Sequence, residues 1–486
     1  MANKLRKGRA PLGVALLTSA LLGGCVGAPA YHPVKVATPA QFSETPDGWA
    51  AAQPADGAAR GPWWQVFADP QLDRLEQQAE KASPTLEAAL ARYDEARATA
   101  RVADAARLPE VDAVGSAARD KVSQNRPLTT GREATYNDYR AGGLLTYELD
   151  LWGRVRAAAR AGHAEADASG HDLAAARLSL QAAVADAYVR LRGLDAQASL
   201  LRRNDEAYSR AYQLTATRHQ GGIASIIDVN RASMVLANAR AQLAAVEDQR
   251  AATEHEIAAL VGAVASNFHL AAVPDALRVP LAPATTPSVM LQRRPDVAAA
   301  ERRMAAANAR VGAARAALFP TITLGLTGGY ETTGPSMFSA PNAFWGLGPA
   351  SVSLPVFDGG KRRAQLRSAR AQYDEVAATY RSTVLTAFRE VEDQLAASRL
   401  LAHEATQQSL AADAAQHTSD LSFTRYREGA TDYFEVVTAQ TDALNAQRTL
   451  LAVQTQRLQA AIALVKALGG DPAPALGGEP APGKQG

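Results

Sequence analysis

Thr321-Ile322-Thr323-Leu324-Gly325-Leu326-Thr327-Gly328-Gly329-Tyr330-Glu331 is the stretch on which the fold turns. In an extended chain successive side chains take opposite sides. Ile322, Leu324, Leu326, Gly328 and Tyr330 therefore fall on one face, and Thr321, Thr323, Thr327 and Glu331 on the other. Tyr139, Gly143, Leu145, Tyr147 and Leu149 alternate in the same way with Asp138, Arg140, Thr146, Glu148 and Asp150. Weaker segments lie near 110–120 and 344–357, the latter placing Phe344, Val352, Leu354 and Val356 opposite Ser351 and Ser353. A soluble, half-buried sheet would alternate identically, so the number of strands decides. Segments of this length with one apolar and one polar face suit a transmembrane barrel. The smallest such barrels need about eight strands, and an open edge cannot sit in lipid. Several copies of the chain must supply the wall. The connecting loops at 121–136 and 332–343 carry Gly, Pro, Asn and Thr, as surface turns do.

Working outward, the rest reads as helix. Lys361 to Glu428 contains neither Pro nor Gly, and no proline lies between Pro127 and Pro274, so nothing forces a break. A helix of about 60 residues is roughly 90 Å long, far beyond what a globular domain requires. Val437, Leu444, Leu451, Leu458 and Val465 recur at heptad spacing, as do Leu173, Leu180, Ala187, Leu194 and Leu201, with Val184, Leu191 and Ala198 beside them. Alanine at many other contact positions gives broad faces, suited to a curved wall in which each helix touches two neighbours. The order of helix, β-hairpin and long helix pair then recurs. Ser83-Pro84 opens a helix ending near Leu108-Pro109, and Arg294-Pro295 one ending near Phe319-Pro320. Trp152-Gly153-Arg154 stands to Asp358-Gly359-Gly360 as Arg218–Gly222 stands to Arg425–Gly429, always at a shift of roughly 210 residues. The chain is a tandem duplication, with repeats expected over 63–285 and 286–470.

At the N-terminus, Lys4, Arg6, Lys7 and Arg9 precede an apolar stretch from Pro11 to Leu22, closed by Leu22-Gly23-Gly24-Cys25. This predicts a signal peptide over 1–24, too short to be a spanning helix. Cys25 is the only cysteine in 486 residues and stands where a bacterial lipobox carries the thiol that receives diacylglycerol. A lipoprotein is expected, anchored by diacylglycerol and an N-acyl chain on Cys25. An extended, Pro/Ala/Gly-rich segment is expected over 25–62 and a flexible tail over 471–486. With one cysteine there is no intramolecular disulfide, so the exported chain holds together by packing and association. A net charge of +2 argues against nucleic acid. After Leu22 no stretch of about twenty residues is apolar enough for a spanning helix, so any membrane crossing falls to strands. No catalytic constellation appears, and the chain is not read as an enzyme. His163 and His171 have no standard metal spacing, and Gly142-Gly143 and Gly328-Gly329 read as strand glycines, not as a nucleotide fingerprint. Apart from the lipid no cofactor is expected, and energy for any transport comes from a partner.

Several short motifs carry a family resemblance. They are Trp63-Trp64 with Phe67, Asp69, Leu72 and Leu75; Leu149-Asp150-Leu151-Trp152-Gly153-Arg154; Leu291 with Arg293-Arg294-Pro295-Asp296 and Glu301; Phe319-Pro320; Pro355-Val356-Phe357-Asp358-Gly359-Gly360; and Tyr426-Arg427-Glu428-Gly429 with Tyr433 and Ala439-Gln440. In their order and spacing the chain resembles the TolC/OprM-like outer-membrane factors of tripartite efflux systems, more closely the NodT-type lipoproteins. The resemblance implies a mainly α fold with a transmembrane β part. In it, a homotrimer joins a periplasmic α-barrel of coiled-coil helices, with an equatorial belt, to a 12-stranded β-barrel, four strands per copy, in the outer membrane lipid. It implies a periplasmic adaptor (membrane fusion) protein and an inner-membrane pump as partners, in systems of the multidrug-resistance type. It also implies that the helix-hairpin tips near 212–229 and 424–436 form the periplasmic end, constricted at rest, where the adaptor docks. The residues singled out there are Arg218, Gly222, Ser225, Asp228, Arg425, Gly429, Thr431 and Asp432. Glycine and small polar residues leave backbone accessible at the turns, and Arg218, Asp228, Arg425 and Asp432 are expected in ion pairs or charged rings. The expected function is passive conduction of small molecules. The competing reading is a lipid-anchored periplasmic coiled-coil spacer or adaptor whose strands form a soluble β-domain.

Overall fold

The computed structural model describes Tyr31, Phe42–Glu44 and residues 62–123, 134–273 and 293–470. The expected signal peptide, Cys25, most of the 25–62 segment, the middle of the 121–136 loop and the 471–486 tail lie outside the described residues. The chain forms two compact units. One draws on residues 1–34, 94–168 and 300–380, the other on 35–93, 169–299 and 381–486.

The first unit contains the strands. β1 (Glu110–Val122) and β2 (Ala134–Leu149) form a hairpin, β3 (Thr321–Thr332) pairs with β2, and β4 (Ala343–Leu347) and β5 (Ser351–Ser353) pair with opposite halves of β3. Every pairing is antiparallel. Directly opposed residues share a face. Val111, Leu145, Leu326 and Leu347 stand abreast on one side, and Asp112, Leu144, Thr327 and Gly346 on the other. The expected 344–357 strand is interrupted. Between Leu326↔Leu347 and Thr323↔Ser351, three residues of the last strand oppose two of β3, a one-residue bulge at Gly348-Pro349-Ala350. Pro349 has no N–H to give the ladder, while Gly348 N–H bonds Gly325 O at 2.7 Å. The bulge reverses parity. Phe344 lies with Gly329 on the polar face and Val352 with Ile322 on the apolar face, which corrects the expectation that both share one side.

Gly142 and Gly329 are directly paired. A Cβ on Gly329 would lie 2.3 Å from Ala141 O, and one on Gly142 would lie 2.4 Å from Gly328 O. The strands of the two repeats meet where only glycine fits, while Gly328 would have ordinary room at 3.7 Å.

Each hairpin turns into a long helix through positive-φ glycines, Gly153 at 78°, Gly359 at 64° and Gly360 at 85°. Two carboxylates hold these corners. Asp150 accepts from Val155 N and Arg156 N at 3.1 and 2.8 Å, and Asp358 from Gly360 N and Arg362 N at 2.9 and 3.2 Å. Burial pushes the Asp150 carboxyl up, but those N–H groups and the Arg156 guanidinium outweigh it and hold it below the ordinary range. For Asp358 the Arg362 N–H is the leading cause of the same depression. Trp152 ties the two repeats together, stacking on Phe319 at 5.0 Å and donating to Pro320 O at 2.7 Å.

The second unit is helical. A 3-10 turn (Trp63–Phe67) leads into α1 (Pro70–Ala82), whose N-cap Asp69 accepts from Gln71 N and Leu72 N and from the Tyr188 hydroxyl at 2.6 Å. After α2 (Pro84–Ala105) and the first hairpin come α3 (Arg154–Gln220) and α4 (Ile226–Leu260), then α5 (Pro295–Ala316), and after the second hairpin α6 (Lys361–Arg427) and α7 (Tyr433–Ala467). α3 and α6 have 67 residues each, about 100 Å, and α4 and α7 have 35 each, so the long helix pair recurs at matched lengths. α2, α3, α5 and α6 contribute residues to both units. The heptad positions form the core. Leu180, Ala187, Leu194 and Leu201 of α3 are buried, as are Leu444, Leu458 and Val465 of α7, while Val437 and Leu451 pack at its margin. Trp63, Trp64, Phe67, Leu72 and Leu75 close one end of this core against Val184, Tyr188 and Ile257.

Candidate functional site

The sheet is two-faced. Its polar side carries Glu110, Asp112, Asp120, Asp138, Glu148 and Glu331 against a single cation, Arg140, which pairs with Glu331 at 3.0 Å and Asp138 at 3.1 Å. Its other side carries Ile322, Leu324, Leu326, Leu145, Tyr147, Leu149, Val111 and Val352. Trp345 and Leu347 belong to that apolar side and are 82% and 83% exposed, an exposure that suits hydrocarbon and not water. From Leu149 to Tyr139 the apolar face of β2 runs about 34 Å along the strand. At a tilt of about 45° that is a band about 24 Å tall, the height of an outer-membrane apolar belt. The strand order ends at β1 on one side and at β4 and β5 on the other. Among the described residues, no helix is long and apolar enough to cross a membrane.

The tips lie in the second unit. Gly222 at φ 75° and Gly429 at φ 81° end α3 and α6 in left-handed turns. Ile223 N–H reaches Arg218 O, and Ala430 N–H reaches Arg425 O, both at 2.8 Å. Neither glycine has a neighbour within 4 Å of a would-be Cβ, so conformation and not space selects it. Ser225 and Asp228 form a capping box at the start of α4, and Asp228 also stands 3.8 Å from Arg231. Asp432 caps α7 by accepting from Glu435 N at 3.2 Å. Glu435 gathers the Thr431 hydroxyl, Arg425 at 2.9 Å and the Ser422 hydroxyl at 3.3 Å. Arg218 donates to Tyr426 O and Arg427 O, both at 2.8 Å, and lies 4.6 Å from the centre of the Tyr426 ring. It thereby joins the end of α3 to the last carbonyls of α6. Beneath it Tyr426 meets Tyr433 edge-on at 5.3 Å, and its hydroxyl pairs with that of Thr215 at 3.1 Å. The eight tip residues thus come together as two cap-and-latch clusters within one chain. Of the expected ion pairs, Arg425 has a carboxylate, while Arg218 is taken up by backbone.

Other arrangements escaped the sequence reading. Arg192, Asp195, Arg250 and Glu254 form a network that also bonds Leu270, Ala271 and Val273 main chain, fastening the segment after α4 to α3. The Tyr31 hydroxyl donates to Glu301 Oε1 at 2.9 Å, and Glu392 accepts from Ser43 N and Glu44 N while Phe42 sits on Phe388. Nothing local in the sequence marks these long-range clasps. Glu76 was legible, because Leu72, Leu75, Glu76 and Ala79 share the buried stripe of α1. It is fully buried, neither carboxylate oxygen has a hydrogen-bond partner, and burial, with Glu80 and Asp73 nearby, pushes its carboxyl up to about 9.

The model of the Outer membrane efflux protein family matches residues 75–263 and again 286–470. The pyoverdine export outer membrane protein OpmQ of Pseudomonas aeruginosa is 35% identical over 457 residues, 93% of this chain and 94% of that protein. The probable efflux pump outer membrane protein TtgC of Pseudomonas putida is 33% identical over 460 residues, with the same coverage. Among solved structures, the outer-membrane channel OprN superposes with a TM-score of 0.85 at 30% identity, covering 93% of this chain and all of that one. The chain belongs to the outer membrane efflux protein family, the non-enzymatic channels through which efflux pumps discharge across the outer membrane.

Proposed function

We propose that three copies of this chain form the channel, each giving four strand positions to one 12-stranded barrel, and that it conducts small molecules passively from a periplasmic adaptor and inner-membrane pump to the exterior. The two-faced sheet that ends in an unshared strand on each side carries this reading. Placed in lipid, those edges leave a row of N–H and C=O groups unsatisfied, each at a cost of several kcal/mol, unless sister copies cover them. The exposed leucines of α6 support the same association. Leu385, Leu400, Leu410 and Leu421 are each more than half exposed and fall on one helical stripe, a face suited to a neighbouring copy.

The tips are the proposed gate and adaptor-docking end. Arg218 would hold α3 and α6 together at rest, and release of its bonds to Tyr426 and Arg427 would let the coil ends part. Gly222, Ser225, Asp228, Gly429, Thr431 and Asp432 shape the turns an adaptor would meet. Cys25 is the proposed lipid attachment site, placing an acyl anchor beside the barrel. Cargo resembling that of OpmQ or of the TtgC pump would meet a wide polar lumen that discriminates weakly, leaving selection to the pump. Single-channel recording in planar bilayers, with the mass of the detergent-extracted assembly, tests the reading. Trimer mass and current are expected, and a monomer without current refutes it. Metabolic palmitate labelling, lost in Cys25→Ala, tests the anchor.

A further inference from the structure

The two repeats meet once inside the chain, where an aromatic contact closes the corner between the first hairpin and its long helix. Trp152, just before the corner glycine Gly153, stacks on Phe319 at 5.0 Å and donates to Pro320 O at 2.7 Å. Phe319-Pro320 is the turn by which α5 enters β3, and Leu108-Pro109 is the turn by which α2 enters β1. The two turns share one backbone form. Phe319 N–H bonds Ala316 O at 3.1 Å, and Leu108 N–H bonds Ala105 O at 3.0 Å. The corners correspond as well, since Gly153 and Gly359 both take positive φ after a carboxylate that accepts from the start of the helix. Phe357 is the aromatic residue just before the second corner. What differs between the repeats is cover. Trp152, Phe319 and Pro320 are half-buried, whereas Phe357 is 91% exposed and Leu108 68% exposed, with Val356 and Pro109 exposed beside them. Among the described residues Phe357 has no ring partner.

We infer that Phe357 of one copy packs on the Leu108-Pro109 turn of the next copy, closing each joint between copies as Trp152 closes the joint within a copy. The inference rests on the proposed trimer. Phe357 follows β5 and Leu108 precedes β1, so the two lie at opposite ends of the strand order, on the edges that sister copies would join. In a head-to-tail ring built from such repeats, the boundary from second repeat to first is the counterpart of the boundary from first to second. A contact that covers one therefore has its equivalent at the other. Leucine where the second repeat has Phe319, and phenylalanine where the first has Trp152, keep that contact apolar. The covered counterpart is covered by protein, which favours a second copy over lipid as the occupant. Burial of Phe357 and Leu108 also removes two large apolar side chains from solvent at the place where the sheet gives way to helices.

The test places the photoreactive residue p-benzoylphenylalanine at position 357 of the full-length protein, produced together with a tagged copy that lacks the probe, and irradiates intact membranes. A product joining a probe-bearing copy to a tagged one is expected, with the new bond mapped by mass spectrometry to the Leu108-Pro109 turn. The same probe at position 152 is expected to react with the Phe319-Pro320 turn of its own chain and to give no joined product. Phe357→Ala is expected to raise the dissociation constant of the detergent-extracted assembly about tenfold for each joint, the equivalent of about 1.4 kcal/mol, and Phe357→Leu to raise it less. Reaction of position 357 with phospholipid overturns the inference. So does a bond within its own chain, a bond to another part of the neighbouring copy, an unchanged dissociation constant in Phe357→Ala, or no reaction at 357 where 152 reacts. The mass of the native assembly is recorded without irradiation. A trimer in which position 357 reacts with lipid sinks this inference alone, whereas a native chain extracted as a monomer sinks the channel reading.

Discussion

Replacing Glu76 by glutamine isolates the one fully buried carboxyl of the described residues that has no hydrogen-bond partner. Its carboxyl is pushed from 4.5 up to about 9 by burial first, and then by Glu80 and Asp73. Below pH 4.5 the folded and unfolded chains both hold the proton. Above it the unfolded chain releases a proton that the folded chain keeps, so stability falls as pH rises and the loss saturates near pH 9. At about 1.4 kcal/mol per pKa unit, three units between pH 4.5 and pH 7.5 cost at most roughly 4 kcal/mol. Glutamine fills the same space and does not titrate. The Glu76→Gln variant is therefore expected to gain on the native protein by that amount between about pH 4.5 and about pH 7.5, whatever offset its own unpartnered amide imposes at low pH. Trp63 and Trp64 lie in the core that covers α1, so thermal unfolding followed by tryptophan fluorescence in detergent at about pH 5 and about pH 8 reads the difference. A gap between variant and native midpoints that is the same at both pH values refutes the reasoning.

Three further outcomes follow from the geometry. Arg218→Ala removes two charge-assisted bonds to the end of α6 and a ring contact, about 1–2 kcal/mol per chain after allowance for partial exposure, and is expected to raise resting conductance. Unchanged conductance would remove Arg218 from the gate. Gly329→Ala drives a Cβ to 2.3 Å from Ala141 O and is expected to abolish trimer assembly, while Gly328→Ala, with 3.7 Å of room, is tolerated; equal yields of trimer from both would contradict the close approach of β2 and β3. With six carboxylates against one arginine on the polar face, the proposed pore is expected to be cation-selective in bilayers, and Glu110→Gln with Asp112→Asn is expected to shift the reversal potential in a salt gradient toward zero.

What the residues disclosed in advance is what repeats along a local period. The alternation of Ile322, Leu324 and Leu326 located β3, and the leucines at heptad spacing located the packed faces of α3 and α7, because in both cases the pattern and the burial are set by neighbours a few positions away. The Ser225-Asp228 box was likewise within reach, since Ser followed three residues later by Asp marks a helix start wherever it occurs. Phe344 was assigned to the wrong face because alternation was counted through Gly348-Pro349-Ala350, and one extra residue at a bulge inverts everything beyond it.

The tips mark a deeper boundary to such reading. Four charged residues near two turns suggested rings of ion pairs, yet Arg218 bonds Tyr426 O and Arg427 O, and a main-chain acceptor leaves no residue type to search for. Any arginine of suitable reach would fit the sequence equally well. A latch between two helix ends becomes visible only when the placement of α3 against the α6–α7 hairpin is known, and far from the tip α3 meets that hairpin where Leu194 and Leu201 pack in one core with Leu444 of α7. That core therefore bears on the alignment of the atoms that hold the ends of α3 and α6 together. A substitution there, such as Leu201→Ala, would leave a cavity costing about 3–5 kcal/mol and is expected to loosen the tip without touching any residue of it. A raised resting conductance in Leu201→Ala that is not additive with that of Arg218→Ala would demonstrate the coupling, and strict additivity would exclude it.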